Sequence, residues 1–136
     1  MAEDPKELLF SFTGDLGAFG AGNDVQAAQA GVIMDLLGKT IYEGSIVDAK
    51  TKELVAVGVS VYSRCPYCIA LHSFGALEAG ASKEEILQAS MVASALGGGP
   101  AIAYSVTLLK DCIETFQGGS FTEDDRMEIL RRLGMA

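Results

Sequence analysis

The chain has little from which to build a cross-linked, nucleic-acid-binding or membrane-spanning protein. Its 136 residues hold three cysteines, three prolines and one histidine. Three cysteines make no disulfide framework, and a chain this long can bury about two thirds of its unfolded surface without one. Basic residues are few: 10 Lys and Arg stand against 18 Asp and Glu, a formal charge of −8 with no basic cluster. That balance excludes a phosphate-backbone footprint, so nucleic acid is not an expected partner, and anionic membranes are disfavoured for the same reason. No apolar run approaches the roughly eighteen residues a membrane helix needs. Met1-Ala2-Glu3-Asp4-Pro5-Lys6 also lacks the basic-then-apolar order of a secretory leader. A cytoplasmic protein is expected, and in a reducing cytosol paired cysteines are more often catalytic or metal-binding than structural. Without repeats, linkers or low-complexity segments, residues 1–136 read as a single domain. Gly97-Gly98-Gly99-Pro100 has no Lys-Ser/Thr ending, so it is not a phosphate loop.

Apolar residues are plentiful instead: 49% of the chain, with a mean hydropathy of +0.29. That is high for so short a soluble chain and predicts apolar surface buried between subunits of a homo-oligomer. Residues 7–22 carry Phe10, Phe12 and Phe19 between glycines without a clean period, so residues 1–22 read as an irregular or short helical lead-in. Asn23 or Asp24 can cap a helix whose Val25, Ala28, Val32, Ile33, Leu36 and Leu37 recur at helical spacing until Gly38. Ser82-Lys83-Glu84-Glu85 is a capping box ahead of Ile86, Leu87, Met91, Val92 and Leu96. Pro100 opens a further helix with Ile102, Val106, Leu109, Ile113 and Phe116 as its apolar stripe, ended by Gly118-Gly119. Thr122 caps a final short helix. Val55, Val57, Val59 and Val61 alternate like a buried strand. The capped entrance Asp48 to Leu54 and the lack of any partner strand make this segment helical too. The expected fold is all-α, a bundle of about six helices.

The densest chemistry lies in Arg64-Cys65-Pro66-Tyr67-Cys68-Ile69-Ala70-Leu71-His72. If Pro66 opens a helix, Cys65 is its N-cap and Cys68 sits in its first turn. Both sulfurs then feel unsatisfied N–H groups and the positive helix end, which can pull a thiol pKa from about 8.5 to well below neutrality. His72 follows Cys68 by one turn on the same face, within reach of its proton. Redox chemistry is the leading reading. Zinc is the rival, with Cys65, Cys68 and His72 as ligands and an upstream carboxylate as the fourth, although no second CxxC or HxxxH pair supports it. Inert packing is the third. Cys112, among Leu108, Leu109, Ile113 and Phe116, reads as a buried core thiol.

Glu53 precedes Cys65 by twelve residues, so the chain carries Glu53…Cys65-Pro66-Tyr67-Cys68…His72. With Lys52-Glu53-Leu54, Cys68-Ile69-Ala70-Leu71-His72, Ala79-Gly80-Ala81, Glu84-Glu85-Ile86 and Gly97-Gly98-Gly99-Pro100, this pattern resembles the alkylhydroperoxidase D-like branch of the carboxymuconolactone decarboxylase superfamily, over roughly residues 25 to 116. The resemblance implies an all-helical fold assembling as trimers or hexamers. It implies Cys68 as peroxidatic cysteine, Cys65 as its resolving partner, and Glu53 with His72 as a proton relay. The partners implied are a small-molecule hydroperoxide or disulfide and an external dithiol reductant, with no cofactor and no metal. Some members carry a histidine inside the CxxC. Here Tyr67 stands before Cys68, a poor base at neutral pH, so the relay would depend more on water. Members with true lactone-decarboxylase activity generally lack the cysteine pair, which argues against that lyase chemistry here.

Overall fold

The computed structural model describes residues 3–136, and among them every regular element is helical. Each helix begins at a short side chain that accepts from its free N–H groups or at a proline, which has no N–H to satisfy. Helix α1 (Pro5–Gly20) has Asp4 as its N-cap, accepting from the Lys6 and Glu7 amides. Helix α2 (Val25–Tyr42) is capped by Asp24, and α3 (Ala49–Tyr62) by Asp48. Helix α4 (Pro66–Glu78) starts on Cys65 and Pro66, and α5 (Lys83–Gly97) on the reciprocal Ser82–Glu85 box. Helix α6 is one rod made of Gly99–Tyr104, a π-helical turn Ser105–Leu109, and Lys110–Gln117. Helix α7 (Glu123–Arg132) closes the fold behind a Thr122–Asp125 capping box.

Helix α4 is the centre of the bundle. Its residues 69–76 are all buried, so it is covered on every side: by α3, α1, α5 and α6. Leu9, Val57, Val61, Ile69, Phe74, Ile86, Leu109, Ile113 and Ile129 are the largest apolar side chains wholly removed from water. Phe74, Phe116 and Phe121 meet edge-on or tilted, with centroids 5.1 to 6.0 Å apart, and seal the end of the core where α6 turns toward α7.

Helix α3 settles the alternating valines. Val57 and Val61 lie one turn apart in the core, whereas Val55 and Val59 are 62% and 60% exposed on the opposite face. Gly58 sits where a Cβ would already be 3.6 Å from the Ala89 carbonyl oxygen, so a small residue here lets α3 lie close on α5.

Three expectations are corrected. The lead-in is a sixteen-residue helix; Gly14, Gly17 and Gly20 obscured it, but Leu8, Leu9 and Thr13 make a buried face against the bundle. Helix α2 runs through Gly38 to Tyr42, and most of its apolar stripe faces away from the core: Val32, Ile33 and Leu36 are 69%, 64% and 65% exposed, Leu37 packs half-buried against the core, and only Ala27 and Ile41 are buried. In α6 the π turn keeps Ala101, Ser105, Leu109 and Ile113 on the inner face, which leaves Ile102 and Val106 outside. Among the described residues no helix is long and apolar enough to cross a membrane.

Candidate functional site

The joint between α3 and α4 delivers the cysteines. Arg64 takes up a left-handed conformation, φ 57°, that L-residues other than Asn and Asp rarely adopt. It does so to close a Schellman turn: the Arg64 amide donates to the Val61 carbonyl at 3.3 Å and the Cys65 amide to that of Ser60 at 3.2 Å. The chain leaves this turn extended at Cys65, whose Sγ accepts the Cys68 amide at 3.2 Å while Pro66 fills the first helical position. Cys65 and Cys68 are disulfide-bonded, with Cα atoms 5.2 Å apart. Both are half-buried, and Tyr67 between them is exposed, packed on Phe12 at 5.7 Å. The first turn of α4 therefore lies at the surface, with amide N–H groups at the sulfurs.

One turn further along, α4 meets α3 in the interior. Glu53, 2% exposed, shares the inner face of α3 with Val57 and Ser60. A carboxylate so buried is costly unless both oxygens are satisfied. Here they are: Oε1 lies 2.8 Å from His72 Nδ1, and Oε2 accepts the Tyr42 hydroxyl at 2.7 Å. Partial burial, then the hydrogen bond to Glu53 and that residue's charge, push the Tyr42 phenol well above its ordinary value, so it remains a donor at neutral pH. With Oε1 as acceptor, His72 carries its proton on Nδ1, and Nε2 is the ring atom left to take or give one.

That free nitrogen has somewhere to face. Among the described residues no wholly buried side-chain polar atom lacks a partner, and His72 Nε2 has no partner among them, so it reaches open space. His72, Glu53 and Tyr42 line a cavity of about 390 Å³ whose other walls are mainly apolar, among them Leu16, Leu37, Ile41, Leu71 and Leu133. Neither cysteine lines it.

Gly75 makes this pair possible. It follows His72 by three residues on the same face, and a Cβ there would overlap Glu53 Oε2. No other side chain leaves room for the carboxylate. Gly75 and Tyr42 both escaped the sequence reading. Gly75 carried a usable signal, a residue without side chain one turn from the candidate base, whereas Tyr42, eleven residues from Glu53 on another helix, carried none.

The four predicted site residues thus form two joined pairs, Cys65–Cys68 and Glu53–His72. Cys68 and His72 lie one turn apart on α4, and no hydrogen bond links them in this disulfide state. The zinc ligand set does not assemble. Among the described residues no group of three or more His, Cys, Asp and Glu side chains could hold a metal ion, because the sulfurs are bonded to each other and Glu53 is turned to His72. Cys112 is wholly buried, its thiol pushed up to about 12 by burial, and stands apart from the pair.

The carboxymuconolactone decarboxylase family model matches residues 29–111, well over half of the chain and all four of these residues. The chain belongs to this family. A family relative from Cupriavidus necator, an uncharacterized protein, is 30% identical over 105 residues, 77% of this chain and 89% of its own length. Uncharacterized protein 4 in the cox locus of Paracoccus denitrificans is 34% identical over 84 residues, 59% of this chain and 76% of that one. The apo crystal structure of a carboxymuconolactone decarboxylase family protein from Legionella pneumophila superposes with a TM-score of 0.73 at 27% identity, covering 84% of this chain and 97% of that chain. The all-helical fold read from the sequence is the fold of this carboxymuconolactone decarboxylase family member.

Proposed function

We propose that this family member is a thiol-dependent oxidoreductase, a peroxidase or a disulfide oxidoreductase, cycling Cys65 and Cys68 between dithiol and disulfide. The observation that carries the reading is a half-exposed cysteine pair at a helix N-terminus, one turn from a histidine held by a buried carboxylate. In the peroxidase cycle the Cys68 thiolate attacks the terminal oxygen of a hydroperoxide. The S–O bond forms as the O–O bond breaks, leaving a sulfenic acid and an alkoxide that takes its proton from the His72–Glu53 relay. Cys65 then attacks the Cys68 sulfur: the S–S bond forms as the S–O bond breaks, and the Cys65 thiol proton goes to the departing hydroxide, which leaves as water. An external dithiol returns two electrons and two protons, and the exposed first turn of α4 gives a reductant protein access. A lyase of the lactone-decarboxylating kind would want a free cation at the cavity. Arg132, the cation that lines it, is held by Glu128 Oε1 and the Phe10 carbonyl, each at 3.0 Å.

A homo-oligomer, trimer or hexamer, belongs to the same proposal. The outward apolar stripe of α2 and the exposed Val55, Val59, Val92 and Leu96 of α3 and α5 support it, and light scattering on the purified chain tests it.

The catalytic proposal is tested by intact mass and peptide mapping of the reduced protein before and after one equivalent of cumene hydroperoxide, with metal assayed on the same sample. Loss of two hydrogens mapped to Cys65–Cys68 is the expected result. Unchanged thiols in a zinc-loaded protein would remove the peroxidase reading and favour a metal module.

A further inference from the structure

Tyr42 is the last residue of α2, and its hydroxyl is the only protein donor to the second oxygen of Glu53 among the described residues. It also stands between two spaces of opposite character. On one side is the apolar cavity that His72 and Glu53 line; on the other is an open polar groove bordered by Asp48, Lys50, Glu78 and Arg126. Tyr42, Gly75 and Met135 border both, and of these only Tyr42 carries a polar side-chain atom. The groove is open and lined by charged side chains, whereas the cavity needs a base whose proton stays on a defined atom.

We infer that Tyr42 is a positioning residue for the Glu53–His72 pair: its hydroxyl fixes the carboxylate plane, and its ring separates the pair from the polar groove. A carboxylate held at one oxygen can rotate about its terminal torsion, which is broad and soft. Rotation would let water or the groove's charges compete for Oε1 and release His72 from the Nδ1-protonated form. Held at both oxygens, the carboxylate keeps His72 Nε2 as the acceptor. The inference rests on the relay role given to Glu53 and His72 above. It assigns to α2, an element outside the cysteine motif, the job of setting that relay. The charged and titratable groups that share these two spaces with Tyr42 are Glu53 from α3, Glu78 and His72 from α4, Lys50 and Asp48 at the α3 entrance, and Arg126 and Arg132 from α7. Arg126 is neutralised by bonds to Glu78 at 2.5 and 3.0 Å, so Glu53 is the dominant partner of the phenol.

Tyr42→Phe removes one oxygen from a half-exposed ring and leaves the fold intact. Two measurements decide its effect. Because His72 is the sole histidine, ring-nitrogen NMR on reduced and oxidised protein reads its tautomer without assignment ambiguity. Wild type is expected to show the Nδ1-protonated form, and Tyr42→Phe a mixture of tautomers. Single-turnover oxidation of the reduced protein by cumene hydroperoxide between pH 5 and 9 is expected to slow about tenfold, the usual effect of losing a hydrogen bond to a charged group. Its pH profile is expected to change shape, because the second oxygen of the Glu53 carboxylate has lost its donor. An unchanged His72 spectrum with an unchanged pH profile overturns the inference. So does a uniform slowing at every pH with the spectrum unchanged, which is a structural effect only. If wild type itself fails to oxidise, the thiol reading falls, and the tautomer measurement still decides the role of Tyr42.

Discussion

The two working parts of α4 differ in nearly every physical respect although one turn of helix separates them. The first turn is half-exposed, its sulfurs sit among free helix-end amides, and the residue that delivers it, Arg64, is held in a strained conformation. The middle is buried, its charge is matched oxygen by oxygen, and its backbone is regular. The proposed electron exchange needs contact with outside molecules, and the sulfurs lie where a partner can reach. The proposed proton relay needs a fixed geometry and little water, and the carboxylate and imidazole lie inside. Placing both on one helix holds them in register without bonding them to each other.

Substitutions at each end separate these two roles. Cys68→Ser should abolish peroxide-dependent loss of thiols while the thermal midpoint of the reduced protein stays near wild type; persistence of that oxidation would break the assignment of the first turn. Glu53→Gln should slow single-turnover oxidation about 10²-fold with the cysteines still present, the usual weight of a lost proton-transfer partner, measured by thiol titration after rapid mixing. Gly75→Ala should cost about 2–3 kcal/mol in urea unfolding, because its methyl group collides with a buried carboxylate that can move only by giving up its bonds to Tyr42 and His72. An unaltered midpoint would mean that Glu53 can leave the interior. Cys112→Ala should cost only about 1 kcal/mol and leave oxidation untouched. Burial raises the Cys112 thiol from about 9 to about 12, so the folded chain keeps a proton that the unfolded chain gives up, and stability contributed below pH 9 is lost as pH rises through that window. The variant should show a shallower decline over the same range. Arg64→Gly should raise stability by about 0.5 kcal/mol, the left-handed strain relieved less the added freedom of the unfolded chain.

What could be read in advance follows the same division. Helix starts at Asp24, Asp48, Cys65-Pro66, Ser82 and Thr122 were legible because caps are local: donor and acceptor lie within three residues. The first turn of α4 was legible for that reason. Helix α1 was obscured because its glycines weaken propensity, and tertiary burial of Leu8 and Leu9 outweighs them. The stripe of α2 was legible as amphipathic, yet the pattern alone does not say whether such a stripe meets the chain's own core, and here most of it does not. Within the buried pair, His72 was legible from its place one turn after Cys68 and Glu53 from the family resemblance, while Tyr42 and Gly75 are defined by contacts between α2, α3 and α4 that no local period records.

The clash at Gly75 has a consequence for reading other chains. Position 75 can hold only hydrogen while position 53 holds an acid that points inward, but a chain with a small neutral residue at 53 would lift that restriction. The two positions should therefore change together, and a glycine three places after the histidine serves as a written sign, visible without coordinates, that the carboxylate upstream is folded inside rather than left in water.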